Sequence, residues 1–126
     1  MPRTVRTEDA PAAVGPYSQA ATNGSLLFTA GQIALTPDGE DLTNLSPAEQ
    51  AEQCLDNLAA VLAAEGLDFS AVLKTTVFLN DIDDYAAVNE VYAEYFTDNP
   101  PARSAVAVDA LPKGAAVEIE AIASLE

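Results

Sequence analysis

The 126-residue chain contains no histidine, no tryptophan and a single cysteine, Cys54. These absences exclude a zinc site built from His and Cys, a Ser-His or Cys-His catalytic triad, and a disulfide within the chain. A carboxylate-only site for Mg²⁺ or Ca²⁺ stays open in principle, but no ligand spacing for one is visible. We therefore predict no metal site, and we interpret Cys54 as a small apolar residue of a helix.

Basic residues are scarce, because five Lys and Arg stand against 20 Asp and Glu and the formal net charge is -15. Such a field repels phosphate backbones and anionic membrane surfaces, so we expect neither nucleic acid nor membrane as a partner. A protein in concentrated salt tolerates this composition, since screening shortens charge repulsion to about 3 Å at 1 M. We favour a halophilic origin over the alternative of an ordinary acidic protein.

Long apolar runs are also lacking. The longest, residues 58–64, is far shorter than the roughly 20 residues that span a bilayer. Residues 1–15 have no apolar stretch of the kind found in export signals. We expect a cytoplasmic protein with one domain over residues 1–126, because 49% hydrophobic residues at this length suffice for a single core.

The pattern of apolar residues and turn residues predicts strands and helices in alternation. Ser46-Pro47-Ala48-Glu49 has the residues of a helix start: a capping serine, proline at the first position and glutamate three residues after the cap. The predicted elements are a possible short strand at 4–6, a strand apolar on both faces at 25–35, a helix from 46 to 66, a strand at 72–79, a helix that starts within 81–84 and stops before Pro100 and Pro101, and strands at 103–109 and 115–123 joined by a hairpin-like connection at 111–114. This order indicates an α+β fold, a mixed β-sheet with two helices packed on one face.

Alternation along the last two strands bears on function. If the β-branched residues of both strands face the helices, Arg103 and Glu118 emerge together on the other face; those residues are Val106, Val108, Val117 and Ile119. That other face also carries small apolar side chains, which a free monomer would not normally expose as a large patch. We therefore expect an oligomer that covers the helix-free side of the sheet.

Six short motifs occur in order over nearly the whole chain: Gly15-Pro16-Tyr17-Ser18-Gln19-Ala20, Ala30-Gly31-Gln32-Ile33, Lys74-Thr75-Thr76-Val77-Phe78-Leu79, Asn89-Glu90-Val91-Tyr92, Pro101-Ala102-Arg103-Ser104 and Val117-Glu118-Ile119-Glu120-Ala121. In this order and spacing they resemble the RidA subgroup of the Rid family, the YjgF-type reactive-intermediate (enamine/imine) deaminases. The resemblance implies a chorismate-mutase-like fold assembled as a homotrimer, with active sites in clefts between subunits. It also implies hydrolysis of 2-imino acids, such as 2-iminopropanoate and 2-iminobutanoate, to 2-oxo acids and ammonia without a cofactor.

Two residues are the predicted catalytic pair. Arg103 is the only arginine after residue 6, and a guanidinium is the side chain that matches a carboxylate with a fork of N–H donors; the alternative is a surface ion pair. Glu118 occupies the position of the family's catalytic-site glutamate and would hold or activate water, or pass a proton to the departing ammonia. Its alternative is a solvated strand position, which describes Glu120 equally well.

The resemblance points to three further substrate-binding residues. Tyr17 would form a wall of the cleft, with a core tyrosine as the alternative, and the amide of Gly31 would contact the substrate carboxylate or developing charge. Asn89 matches the helix motif, although an exposed helix asparagine is nearly as common. Many relatives have Ser in place of Ala30 and Cys in place of Ala105, which leaves the substrate range open and excludes thiol-based redox control at that position.

Two other functions are alternatives to the deaminase. A non-catalytic regulatory trimer that binds small carboxylates would need Arg103 but no acid that handles water, so the presence of Glu118 favours the enzyme. RNA cleavage is ascribed to some members of the family, but the net charge of -15 and the absence of histidine oppose it here.

Overall fold

The computed structural model describes residues 2–126. Its helices and strands are β1 (Arg3–Val5), β2 (Ala20–Thr22), β3 (Leu26–Thr29), α1 (Pro47–Ala63), β4 (Val72–Leu79), α2 (Tyr85–Tyr95), β5 (Ala102–Ala107) and β6 (Val117–Ser124). The six strands form one sheet in the order β1-β2-β3-β6-β4-β5. Strands β4 and β5 are parallel and connected through α2, whereas the other neighbouring pairs are antiparallel. The predicted α+β class with a mixed sheet and two helices is confirmed.

One face of the sheet packs against both helices. Buried and partly buried residues alternate along β6, as expected for a strand covered on one side. A single hydrophobic cluster joins this face to α1 and α2; its members include Leu55, Leu58, Leu62, Val77, Leu79, Val88, Tyr92, Val117 and Ile119. Burial of each large side chain stabilises the fold by about 1.5–3 kcal/mol. The opposite face carries no helix, and we call it the open face; it contains Phe28, Phe78, Val106, Glu118, Glu120 and Ile122.

Helix α1 begins at the predicted cap. The Ser46 hydroxyl oxygen accepts a hydrogen bond from the Glu49 amide at 3.2 Å, and a Glu49 carboxylate oxygen accepts one from the Ser46 amide at 3.3 Å. These bonds satisfy two backbone donors that the first turn otherwise leaves free. Cys54 lies on the buried side of this helix, so its interpretation as a small apolar core residue is confirmed.

The predicted strand at 25–35 is wrong over its second half. Strand β3 ends at Thr29, and after it only two isolated bridges follow, from Gln32 to Ile119 and from Leu35 to Asp41. The carbonyls of Ile33 and Leu35 accept hydrogen bonds from the buried Asn57 side chain at 3.3 and 2.9 Å, so their partner is a helix residue. A short strand close to the predicted residues 4–6 is present as β1, whereas β2 was missed because three residues are too few to establish a periodicity.

The predicted hairpin between the last two strands is also wrong. Strand β6 lies between β3 and β4, and β5 lies at the sheet edge on the far side of β4. Thr75 of β4 is the register partner of Arg103, and Val77 is the partner of Ala105, which packs against the core. Val106 is 42% exposed on the open face. Arg103 therefore lies on the helix side of the sheet, and the expectation that it shares a face with Glu118 is corrected.

Within residues 2–126, neither helix combines the length and the apolar composition that a membrane span requires.

Candidate active site

Arg103 is held by three side chains of α2. Its Nη1 donates to Asn89 Oδ1 at 2.8 Å, and its Nη2 donates to the Tyr85 hydroxyl at 2.6 Å. The guanidinium carbon lies 4.6 Å from the centroid of the Tyr92 ring, within the range of a cation–π contact. The helix thus restrains both the edges and one face of the guanidinium.

Among the residues that the structure describes, the charge of Arg103 has no acidic partner. Across residues 2–126 one salt bridge is present, between Arg3 and Glu65 at 2.6 Å. Arg103 instead donates to two neutral oxygens, which use two of its five N–H donors and leave three for a ligand. The alternative interpretation of Arg103 as a surface ion pair is therefore wrong.

Glu118 and Gly31 form a second cluster. Glu118 lies half-buried on β6, and burial, assisted by the negative charge of Glu120, raises the pKa of its carboxyl group. A β-carbon added at Gly31 would lie 2.7 Å from Glu118 Cδ and would collide with the carboxylate. Glycine is therefore required at position 31 for the Glu118 side chain to fold back against the main chain.

Within one chain, Arg103 and Glu118 lie far apart. In the register of the sheet, Arg103 is level with Thr75, whereas Glu118 is level with Phe78. Two strand spacings across and three residues along place their Cα atoms about 14 Å apart. The side chains also point to opposite faces, so a site that uses both residues needs a second copy of the chain.

Tyr17 is 55% exposed, which contradicts the alternative of a core tyrosine. Its hydroxyl oxygen accepts a hydrogen bond from the Val14 amide at 3.4 Å, and its ring lies against Gly15, whose φ of +136° favours glycine. In residues 2–126 no hydrogen bond or aromatic contact joins Tyr17 to Arg103 or Glu118. Its place as a wall of the cleft stays a prediction.

Sequence reasoning missed three residues around Arg103: Tyr85, Tyr92 and Thr75. For Tyr85 and Tyr92 the sequence does contain a signal. Together with Asn89 they recur at intervals of four and three residues and so share one helix face. Thr75 carried no such signal. It is a β-branched residue inside a strand, and its hydroxyl contact with Tyr92 depends on the tertiary fold.

Other reactive groups are remote or closed off. Burial raises the pKa of the Cys54 thiol, which favours the unreactive protonated form. No group of three or more His, Cys, Asp or Glu residues within 2–126 is placed to hold a metal ion.

The mixed six-stranded sheet with two helices on one face makes this a small α+β protein. The free donors of Arg103 at the sheet edge can bind an anion, and the open face carries a half-buried carboxylate, Glu118. Residues 7–125 match the family model described as Endoribonuclease L-PSP. The chain belongs to this family, which is also named YjgF or Rid.

Relatives and solved structures agree with this assignment. The chain is 50% identical over 125 residues to the RutC family protein y4sK of Sinorhizobium fredii, covering 99% of each chain. It is 48% identical over 121 residues to the human 2-iminobutanoate/2-iminopropanoate deaminase, covering 96% of this chain and 88% of the relative. The crystal structure of E. coli TdcF with bound serine matches with a TM-score of 0.92 and 40% identity, covering 97% of this chain and 98% of that one.

Proposed function

We propose that this protein hydrolyses reactive 2-imino acids, such as 2-iminobutanoate and 2-iminopropanoate, to 2-oxo acids and ammonia. The observation that carries the proposal is the unpaired Arg103, a fixed cation with three free N–H donors in a chain of net charge -15. Such a group is suited to a small planar carboxylate. The human relative's name, 2-iminobutanoate/2-iminopropanoate deaminase, supports the same chemistry.

The proposed site lies between subunits of a homotrimer with a chorismate-mutase-like arrangement. The opposite orientation of Arg103 and Glu118 supports this, because only another copy could bring a Glu118 next to a given Arg103. The open face supports it as well. Phe28 is 48% exposed and Val106 is 42% exposed, next to Phe78 and Ile122 in the register of the sheet, and a partner subunit would cover this apolar surface.

In the proposed reaction Arg103 binds the substrate carboxylate and fixes the C=N carbon near Glu118 of the partner subunit. Glu118 accepts a proton from water as the oxygen adds to that carbon, and passes this proton to the nitrogen, which gives a carbinolamine. Glu118 then accepts the proton of the carbinolamine hydroxyl and passes it to the amino nitrogen as the C–N bond breaks, so that ammonia leaves and the carbon becomes the carbonyl of the 2-oxo acid. Burial raises the pKa of Glu118, which makes its carboxylate a stronger base than an ordinary glutamate and suits it to accept and return a proton.

The site and the composition weigh against the two alternative functions, a regulatory carboxylate-binding protein and a ribonuclease. A regulatory protein that only binds carboxylates has no need of a half-buried acid, yet Gly31 leaves the space that Glu118 occupies. The family description names an endoribonuclease. However, a charge of -15 repels RNA, and the chain has no histidine for acid–base cleavage.

Ammonia release tests the proposal. Threonine dehydratase and threonine generate the imine, and ammonia is followed with and without this protein. We expect faster release with the protein at the same rate of threonine consumption. An unchanged rate at any protein concentration would refute the deaminase function and favour the non-catalytic alternative.

A further inference from the structure

Tyr92 and Thr75 hold Arg103 in place but have no role in the proposed reaction. The Tyr92 ring lies under the guanidinium, and its hydroxyl group is hydrogen-bonded to the Thr75 hydroxyl at 2.6 Å. Thr75 is completely buried on β4, directly opposite Arg103 in the register of the sheet. The strand residue next to Arg103 therefore anchors the ring on which Arg103 stacks.

Aromatic neighbours also restrain the Tyr92 ring. Its ring stacks on Phe96 with centroids 4.5 Å apart and an angle of 29° between the rings. Phe96 in turn packs edge-on against Phe69 at 4.8 Å. Tyr92 thus has few alternative positions, and the hydroxyl bond to Thr75 determines where along β4 the ring lies.

The Thr75 hydroxyl group is a polar group in a mostly apolar part of the sheet. Apart from Arg103, the neighbours of Thr75 on the same face of the sheet are apolar, namely Val77 and Ala121, and valine would fill the site with the same shape. Packing alone does not require the hydroxyl group. A phenol is neutral at pH 7 even at its ordinary pKa, which burial raises further at Tyr92, so Tyr92 does not compensate the charge of Arg103.

We propose that Thr75 and Tyr92 are positioning residues, whose buried hydrogen bond sets the plane of the Arg103 guanidinium and thereby its affinity for a carboxylate. The proposal rests on the proposed function only in assigning the carboxylate to the substrate. The orientation of Arg103 itself is independent of any turnover.

Three substitutions test the pair. Thr75→Val removes the hydroxyl group and keeps the shape, Tyr92→Phe keeps the ring and removes its hydrogen bond, and Thr75→Ser keeps the hydroxyl group. Tyr95→Phe is the matched control, because Tyr95 lies on the same helix and donates its own hydrogen bond to Asp56 at 2.9 Å, away from Arg103.

The first measurement is the NMR shift of the Arg103 side chain without ligand. The chain has three arginines, and stacking on Tyr92 should shift the Arg103 resonances upfield of those of Arg3 and Arg6. We expect Thr75→Val and Tyr92→Phe to reduce this difference, and Thr75→Ser and Tyr95→Phe to preserve it. If Thr75→Val does not fold, Tyr92→Phe decides the outcome.

The second measurement is the Kd of 2-oxobutanoate together with the KM and kcat for the imine. Loss of the bond should raise Kd and KM about three- to tenfold with kcat within about twofold, since binding and not chemistry is disturbed. Unchanged shifts and Kd in folded variants would overturn the proposal, and so would a Thr75→Ser variant as weak as Thr75→Val. Absence of imine turnover in the unsubstituted protein would instead refute the proposed function, and the NMR shifts would still decide the role of the pair.

Discussion

Arg3 and Arg103 differ in whether their hydrogen-bond partners neutralise the charge of the guanidinium. Arg3 makes two hydrogen bonds to Glu65 at 2.6 and 3.1 Å and is neutralised on the surface. Arg103 makes two hydrogen bonds as well, but to a phenol and an amide that carry no charge. The residue type is the same, and only the second arginine keeps an attraction for an anion.

Arg103→Lys should lower kcat/KM about ten- to hundredfold while the oligomer is retained. An ammonium cannot reproduce the planar fork, and the lost charge-assisted hydrogen bonds correspond to about 1.5–3 kcal/mol. The measurement is steady-state imine hydrolysis, with Arg3→Lys as the control that should remain fully active. Full activity of Arg103→Lys would remove this residue from the site.

Glu118→Gln should lower turnover about a hundredfold or more, because the amide keeps the shape but accepts no proton. Glu120→Gln is the matched control from the same face of β6 and should have little effect. In the unsubstituted protein, the acid limb of kcat/KM for the proposed reaction should report a pKa above that of an ordinary glutamate, since burial raises the pKa of Glu118. Equal losses in both variants would contradict the role of Glu118.

The same carboxyl group affects stability with a definite sign. A raised pKa means that the folded state binds this proton more tightly than the unfolded chain does, so folding opposes the charged form. Glu118 therefore destabilises the fold above its folded pKa, and this penalty disappears as the pH falls below the unfolded value. Glu118→Gln should raise Tm at pH 7, and the difference should vanish at a pH below about 4.

At the scale of elements, local signals were sufficient for the helices and insufficient for the strand order. The capping box at Ser46 fixes the start of α1 with adjacent residues alone, and the prediction is confirmed. The position of β5 depends on the β4-α2-β5 connection, through which the chain returns parallel to β4 and pairs with it. A connection at 111–114 that looks like a hairpin carries no information about that choice.

Ser46→Ala should lower the free energy of unfolding by about 1 kcal/mol, because the Glu49 amide loses its acceptor. Urea unfolding measures the difference. Ser25→Ala, an exposed position just before β3, is the control and should change stability by less than about 0.5 kcal/mol. Equal stabilities of the two variants would show that the cap contributes nothing.

The strand order also separates what the sequence predicts about the site from what it does not. The types and motif positions of Arg103 and Glu118 were sufficient to select them as candidates. Their placement on opposite faces was not predictable, because it follows from β5 pairing with β4 and not with β6. The contact between Thr75 and Tyr92 was not predictable for a related reason, since it joins a strand to a helix 17 residues away in the sequence.

At the scale of the whole molecule, the acidic surface is largely uncompensated. One salt bridge within residues 2–126 leaves most of the 20 acidic side chains without a cation. Association of three such chains is opposed by repulsion that extends about 30 Å at 0.01 M salt and about 3 Å at 1 M. The halophilic origin stays a prediction that this distribution supports.

Both Tm and kcat/KM should therefore rise between about 0.05 M and about 2 M KCl, because screening weakens the repulsion more than it weakens a partly buried Arg103–carboxylate contact. Thermal melts and imine hydrolysis across the series measure the two responses. A flat or falling response in both would contradict the halophilic origin and leave the deaminase proposal intact.

In the proposed trimer, Arg103 of one subunit and Glu118 of another form one site. Mixed trimers of Arg103→Lys and Glu118→Gln chains, purified through two different affinity tags, test this arrangement. In a ring of three, every mixed trimer contains one interface where both native residues meet, whichever variant is in excess. We predict that mixed trimers recover about one third of the unsubstituted rate, although each variant alone is nearly inactive. Mixed trimers no more active than the separate variants would contradict the two-subunit site.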